Sequence, residues 1–127
     1  MPTVSELHAQ ADAYAQQMNI PGFGHNDAQD AFRHAYSSAV MARDYGSFLA
    51  AAGGDAWEAL GMLHGQPSSE AYMDLWNNSV GRDIADQLGE SATNDQLAAA
   101  VKKALDDGKL VVLPPSEQRR DYTEYLM

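Results

Sequence analysis

Two stretches of this chain carry polar residues at spacings that suit chemistry: Asp30, Arg33 and His34 in one, Asp74, Asn77, Asn78 and Arg82 in the other. Asp30 and His34 are four residues apart, so on a helix they are neighbours on one face. A carboxylate beside an imidazole orients the ring and stabilises its protonated form near neutral pH, which is how a general base is built. In the second stretch, at about 100° per residue, Ser79, Asp83, Asp86 and Gln87 gather on one side as a water-facing stripe. Asp74, Asn78, Gly81 and Ala85 then point inward, flanked by Ala71, Leu75, Ile84 and Leu88. A buried polar group left unsatisfied loses about 1–3 kcal/mol, so Asp74 and Asn78 need partners or a wet pocket. Asp30 and His34 are the partners on offer if their helix is central; on an outer helix they would form an ordinary solvated ion pair.

The pattern assigns catalytic roles to His34, Asp30, Asp74 and Asn78, and substrate-binding roles to Arg33, Asn77, Arg82 and His64. An arginine beside such a set can stabilise an oxyanion or clamp a phosphate, and can equally neutralise Asp30, Asp74 or Asp83. No cofactor is required. His34, His64 and Asp74 would nevertheless supply two nitrogens and an oxygen to zinc or another divalent metal with an open fourth position, although no pair has the H-E-x-x-H spacing. Tyr36, Ser37 and Ser38 lie near His34 but not in a G-x-S-x-G elbow, which favours an activated water over a covalent nucleophile. His25 sits in a glycine-rich loop and belongs either to the site or to that loop's backbone, while His8 reads as an ordinary surface residue. The segment Gly22-Phe23-Gly24-His25-Asn26 lacks the strand and the Lys-Ser/Thr ending of a phosphate cradle.

The elements that must position these residues are helices. Thr3 to Glu6 forms a capping box for a first helix over about residues 4–18, and Asn19 to His25 breaks it. Asn26 or Asp27 caps a second helix ending near Gly46, and Asp55 caps a short one carrying Trp57, Leu60 and Leu63. Ser68 or Ser69 opens a long helix stopped by Gly89, within which Gly81 marks close approach of a neighbour, since a mid-helix glycine gives up about 1 kcal/mol relative to alanine. Thr93 to Gln96 is a second capping box, leading a helix to Asp107 and Gly108. Lys109 to Leu113 is strand-like but stopped by Pro114 and Pro115, and reads as an extended segment along the helices. The expectation is an all-α fold, one compact bundle of about five helices over residues 1–127, with a tail from 116 that is either a docking helix or flexible.

Composition narrows the function. The chain has 127 residues, 45% hydrophobic and 20% charged, enough for a packed core in one domain. It has no cysteine, which excludes disulfides, thiolate catalysis and cysteine-ligated metals. Its formal charge of −10 repels phosphate backbones, so nucleic acid is an unlikely partner, and a basic protein surface suits it better. No apolar run approaches the roughly 20 residues of a membrane span, and the first residues lack the character of a signal peptide. These features point to the cytoplasm or to export by another module.

The blocks Asp30-Ala31-Phe32-Arg33-His34-Ala35 and Met73-Asp74-Leu75-Trp76-Asn77-Asn78-Ser79-Val80-Gly81-Arg82, with His64 between them, resemble a little-characterised bacterial and phage domain. That domain occurs at the C-terminal ends of secreted, polymorphic-toxin-like proteins, and the likeness covers about residues 25–113. It implies that Asp30, Arg33, His34, His64, Asp74, Asn77, Asn78 and Arg82 are signature positions. It supplies no reaction, and this chain has His64-Gly65 where relatives often carry His-Glu. The resulting expectation is a small hydrolase-like or toxin-type effector, its partner a substrate or an immunity protein. The alternative is an acidic binding protein, a phage or bacterial accessory factor, that occupies a basic target and uses the polar seam only to specify helix packing.

Overall fold

Three of the described α-helices start where a side chain satisfies one of the first free backbone N–H groups. In the computed structural model, which describes residues 3–47, 49–51, 53, 63, 65 and 68–118, Thr3 caps α1 (Val4–Gln17) through a reciprocal capping box with Glu6. Asp27 caps α2 (Ala28–Tyr45), which ends at Gly46 in a positive-φ conformation. The long helix α3 spans Ser68–Leu88, and Thr93 with Gln96 boxes the start of α4 (Asn94–Asp106). A 3₁₀ turn, η1, follows at Pro115–Glu117. The protein is all-α, and no strand occurs among the described residues. Trp57 and Leu60 of the expected Asp55-capped helix, and residues 119–127 of the tail, lie outside the described residues.

The second helix is the axis of the bundle. It packs against α1, α3 and α4, most extensively against α3, so its polar and apolar faces are both covered. Phe32, Ala35, Tyr36, Ala39 and Val40 are buried in one core with Leu7 and Ala11 of α1, Met73 of α3, and Leu97 and Val101 of α4. The Phe32 and Tyr36 rings lie 5.9 Å apart and nearly parallel, while Tyr14 of α1 tilts against Tyr36 at 5.3 Å. Such pairs add about 0.5–1.5 kcal/mol beyond their burial.

The α2–α3 crossing is close because Gly81 permits it. A Cβ at Gly81 would sit 2.1 Å from the carbonyl oxygen of Ala35, an impossible contact with rigid backbone. Alanine at position 35 and glycine at 81 thus let the two helices touch at the residue that follows His34. The inward stripe of α3 runs through Asp74, Asn78, Gly81 and Ala85, as its periodicity predicts, with Ala71 and Ile84 also buried. Leu75 and Leu88, expected to flank it, are exposed instead. The buried arc centres nearer Asn77 than the apolar pattern suggests, which rotates Leu75 outward, and Leu88 is the last residue of the helix.

The extended segment lies along α3 as expected. Asn77 grips it with both amide atoms: Val111 N–H donates to Oδ1 at 2.8 Å, and Nδ2 donates to the Val111 carbonyl at 2.9 Å. Leu113 N–H donates to the Asn26 carbonyl at 3.1 Å, and Leu110 and Leu113 enter the core. The segment therefore satisfies its backbone on side chains and loops rather than on a second strand.

Candidate functional site

The loop before α2 is shaped by its own backbone demands. Asn26 adopts a left-handed conformation at φ 62°, which asparagine tolerates better than most residues. This turns its backbone N–H onto Asp30 Oδ2 at 2.8 Å and its side-chain amide onto Glu70 Oε1 and the Glu117 carbonyl. Asp27 accepts from the backbone N–H groups of Phe23, Gly24 and Asp30, so its charge is spent on the loop and the start of the helix. Arg33 reaches back to the Gly24 carbonyl and donates to Asp30 Oδ1 at 3.0 Å. Loop, cap and arginine together fix Asp30 before any other helix touches it.

At the crossing, His34 Nε2 lies 3.3 Å from Asp30 Oδ1 and 3.3 Å from Asp74 Oδ1. Two helices that are 44 residues apart at these carboxylates thus converge on one ring nitrogen. Asp30 and Asp74 are buried, whereas the His34 side chain keeps 20% of its surface open. Burial alone would raise the Asp30 carboxyl. The hydrogen bond and charge of His34, the Arg33 guanidinium and the Asn26 N–H outweigh it and hold the group at about 2. Asp30 is therefore an anion throughout the neutral range.

The other expected site residues fall into distinct places. Asn78 is buried on the same stripe of α3 as Asp74, whereas Asn77, expected to bind substrate, is bonded to Val111. Arg33 is engaged by Asp30 and Gly24. Arg82 is half-buried, and its NH1 has no hydrogen-bond partner among the described residues. His64 lies outside the described residues. Ser37 Oγ is buried without a hydrogen-bond partner among them, Ser38 is buried, and the Tyr36 hydroxyl donates to Gln10.

One participant, Glu70, escapes a reading of the sequence. Glu70 is buried and faces His25, whose Nε2 lies 3.5 Å from Glu70 Oε1. It sits one turn before Asp74, so extending the inward stripe backwards would have found it. His25 accordingly joins a buried polar cluster beside the main one. His8 is exposed on α1, as expected of a surface residue, and desolvation with the charges of Arg33 and His34 lowers its pKa against the pull of Asp12 and Asp30.

Asp30, His34 and Asp74 each offer one donor atom, and the three atoms lie within 4.8 Å of one another. Relative to the metal set His34, His64 and Asp74, Asp30 joins the cluster. Among the described residues no helix is long and apolar enough to cross a membrane.

Fold and site together define an all-α domain with a polar, histidine-centred seam between its two most closely packed helices. The chain belongs to the family described as a domain of unknown function, DUF6973, whose model matches residues 2–109. That span takes in α1, which the sequence resemblance left out, and stops at the start of the extended segment. No solved structure matches the chain.

Proposed function

We propose that this domain is a small hydrolase-like, toxin-type effector whose water is activated at the Asp30–His34–Asp74 seam. The observation that carries the reading is one imidazole nitrogen held at 3.3 Å from two buried carboxylates while the ring keeps an open edge. Burying charge in this way is expensive, and structures retain it where chemistry uses it. Asp30 and Asp74 fix the ring, and Asn78 and Arg82 of α3 address the polar group under attack. The NH1 of Arg82, which has no hydrogen-bond partner among the described residues, suits an anionic oxygen. Arg33 neutralises Asp30 and holds the loop. The resemblance to C-terminal domains of toxin-like proteins supports delivery by another module and an immunity protein as partner.

The test is inducible expression in a bacterial host, in the cytoplasm and with an export signal, of the wild type, His34→Ala and Asp74→Asn. Circular dichroism confirms that each variant is folded. Growth arrest by the wild type, at least tenfold relieved by both substitutions, is the expected outcome. Arrest that persists in folded variants, or no arrest in either compartment, ends the effector reading.

A second reading, an acidic binding protein, is favoured by the exposed Asp83, Asp86 and Glu90 near the end of α3. It predicts that reversing Asp83 and Asp86 weakens association with a basic partner, with strong salt dependence.

A further inference from the structure

The geometry points to a divalent metal ion held by Asp30 Oδ1, His34 Nε2 and Asp74 Oδ1. First, one imidazole nitrogen faces two carboxylate oxygens at 3.3 Å, longer than the 2.7–2.9 Å of a strong charge-assisted hydrogen bond to either. The same distance is right for donors sharing an ion: with bonds of about 2.0–2.2 Å, tetrahedral ligands stand about 3.3–3.6 Å apart. Second, the donor set of one imidazole and two carboxylates suits zinc or manganese, and it leaves a coordination position for water. Third, the set is oriented from behind. Asp30 is tethered through Oδ2 by the Asn26 N–H and through Oδ1 by Arg33, and such outer partners fix ligands in metal sites. Finally, the backbone contact of Gly81 with Ala35 locks α2 and α3 beside the cluster, so the donors are held together before any ion arrives.

The use of the ion in catalysis rests on the hydrolytic reading above; its binding does not. Bound to zinc, water has a pKa of about 7. The proton it loses passes to solvent, the hydroxide oxygen bonds to the electrophilic centre of the substrate, and the leaving group departs with a proton from solvent. His34 then acts as a ligand rather than as the base itself.

The experiment titrates the chelator-treated full chain with Zn²⁺, Mn²⁺ and, as a larger hard ion, Ca²⁺, read by calorimetry and by Tm. One Zn²⁺ or Mn²⁺ per chain is expected, with Tm raised by about 5–10 °C at a hundredfold excess over Kd. His34→Ala and Asp74→Asn should each weaken binding at least a hundredfold, and Asp83→Asn, on the solvent face, should leave it unchanged. Cobalt substitution gives a readout independent of stability, a visible absorption band that both site variants lose. No binding of Zn²⁺ or Mn²⁺, or equal binding in the site variants, overturns the ion. If the wild type still arrests growth and His34→Ala does not, the hydrolytic reading survives with His34 as direct base. Binding at this site in a protein that arrests no growth leaves the ion standing and removes the effector.

Discussion

His34 is the hinge of the seam's electrostatics, because Asp30 owes its low pKa chiefly to that imidazole once burial, which acts in the opposite sense, is overcome. The folded pKa of Asp30, about 2, lies below the roughly 3.9 of an unfolded aspartate. The unfolded state therefore binds the proton first as pH falls. The stability from Asp30 is fully present above about pH 4 and is lost between about 4 and 2. His34→Ala should remove that dependence, since burial then dominates and raises the carboxyl. It should also cost about 1–3 kcal/mol at pH 7, since Asp30 and Asp74 then lose the imidazole that stands between them. Urea unfolding of both proteins from pH 2 to 6 measures the two effects. An acid limb of unchanged shape in His34→Ala would show that the imidazole does not govern Asp30.

The pairing of α2 with α3 depends on a missing side chain and on an amide spent on backbone. Gly81→Ala improves helix propensity by about 1 kcal/mol yet places a methyl 2.1 Å from the Ala35 oxygen. The helices must part, so a net loss of about 3 kcal/mol is expected in chemical denaturation, and a stabilised variant would contradict the crossing. Asn77→Ala removes both bonds to Val111 and should cost about 2–4 kcal/mol, with faster hydrogen exchange in residues 109–113 and little change in α2. Equal acceleration in α2 would mean that the segment is not a separable attachment. Much of this was legible in the sequence. Capping boxes at Thr3 and Thr93, glycines past the helix ends and the 3.6-residue period gave the elements, and the polar stripe gave the inward direction of Asp74 and Asn78. The partner of Asn77 was not, because a side chain that bonds the backbone of a remote segment leaves no local pattern. Nor did α2 announce its orientation: its polar face turns inward only because a third helix covers it.

Three helices meet around tyrosines at the opposite side of α2 from the carboxylate seam, and this gives the whole molecule a second pH limit. Tyr36 is fully buried and donates to Gln10 of α1, while Tyr14 of α1 donates to Asp95 in the first turn of α4. Burial raises Tyr36 to about 12, with Arg43 pulling it down and Asp95 and Asp44 pushing it up. Burial also raises Tyr14 to about 12, reinforced by Asp95 and Tyr36. An unfolded tyrosine ionises near 10, so between about pH 10 and 12 the unfolded chain releases protons that the folded one retains. Stability from these groups is complete below about pH 10 and falls as pH rises through 12, the reverse of the Asp30 case. Absorbance at 295 nm should show tyrosines titrating late and together with loss of helix, since the fold must open to ionise them. Tyr14→Phe with Tyr36→Phe removes both groups while keeping the ring packing. The double variant should therefore hold its helical signal to higher pH than the wild type, although it is less stable at pH 7 by the two lost hydrogen bonds, about 1–3 kcal/mol. If both proteins unfold at the same alkaline pH, the limit lies in general charge repulsion of a chain already at −10, and the tyrosine cluster plays no part in it.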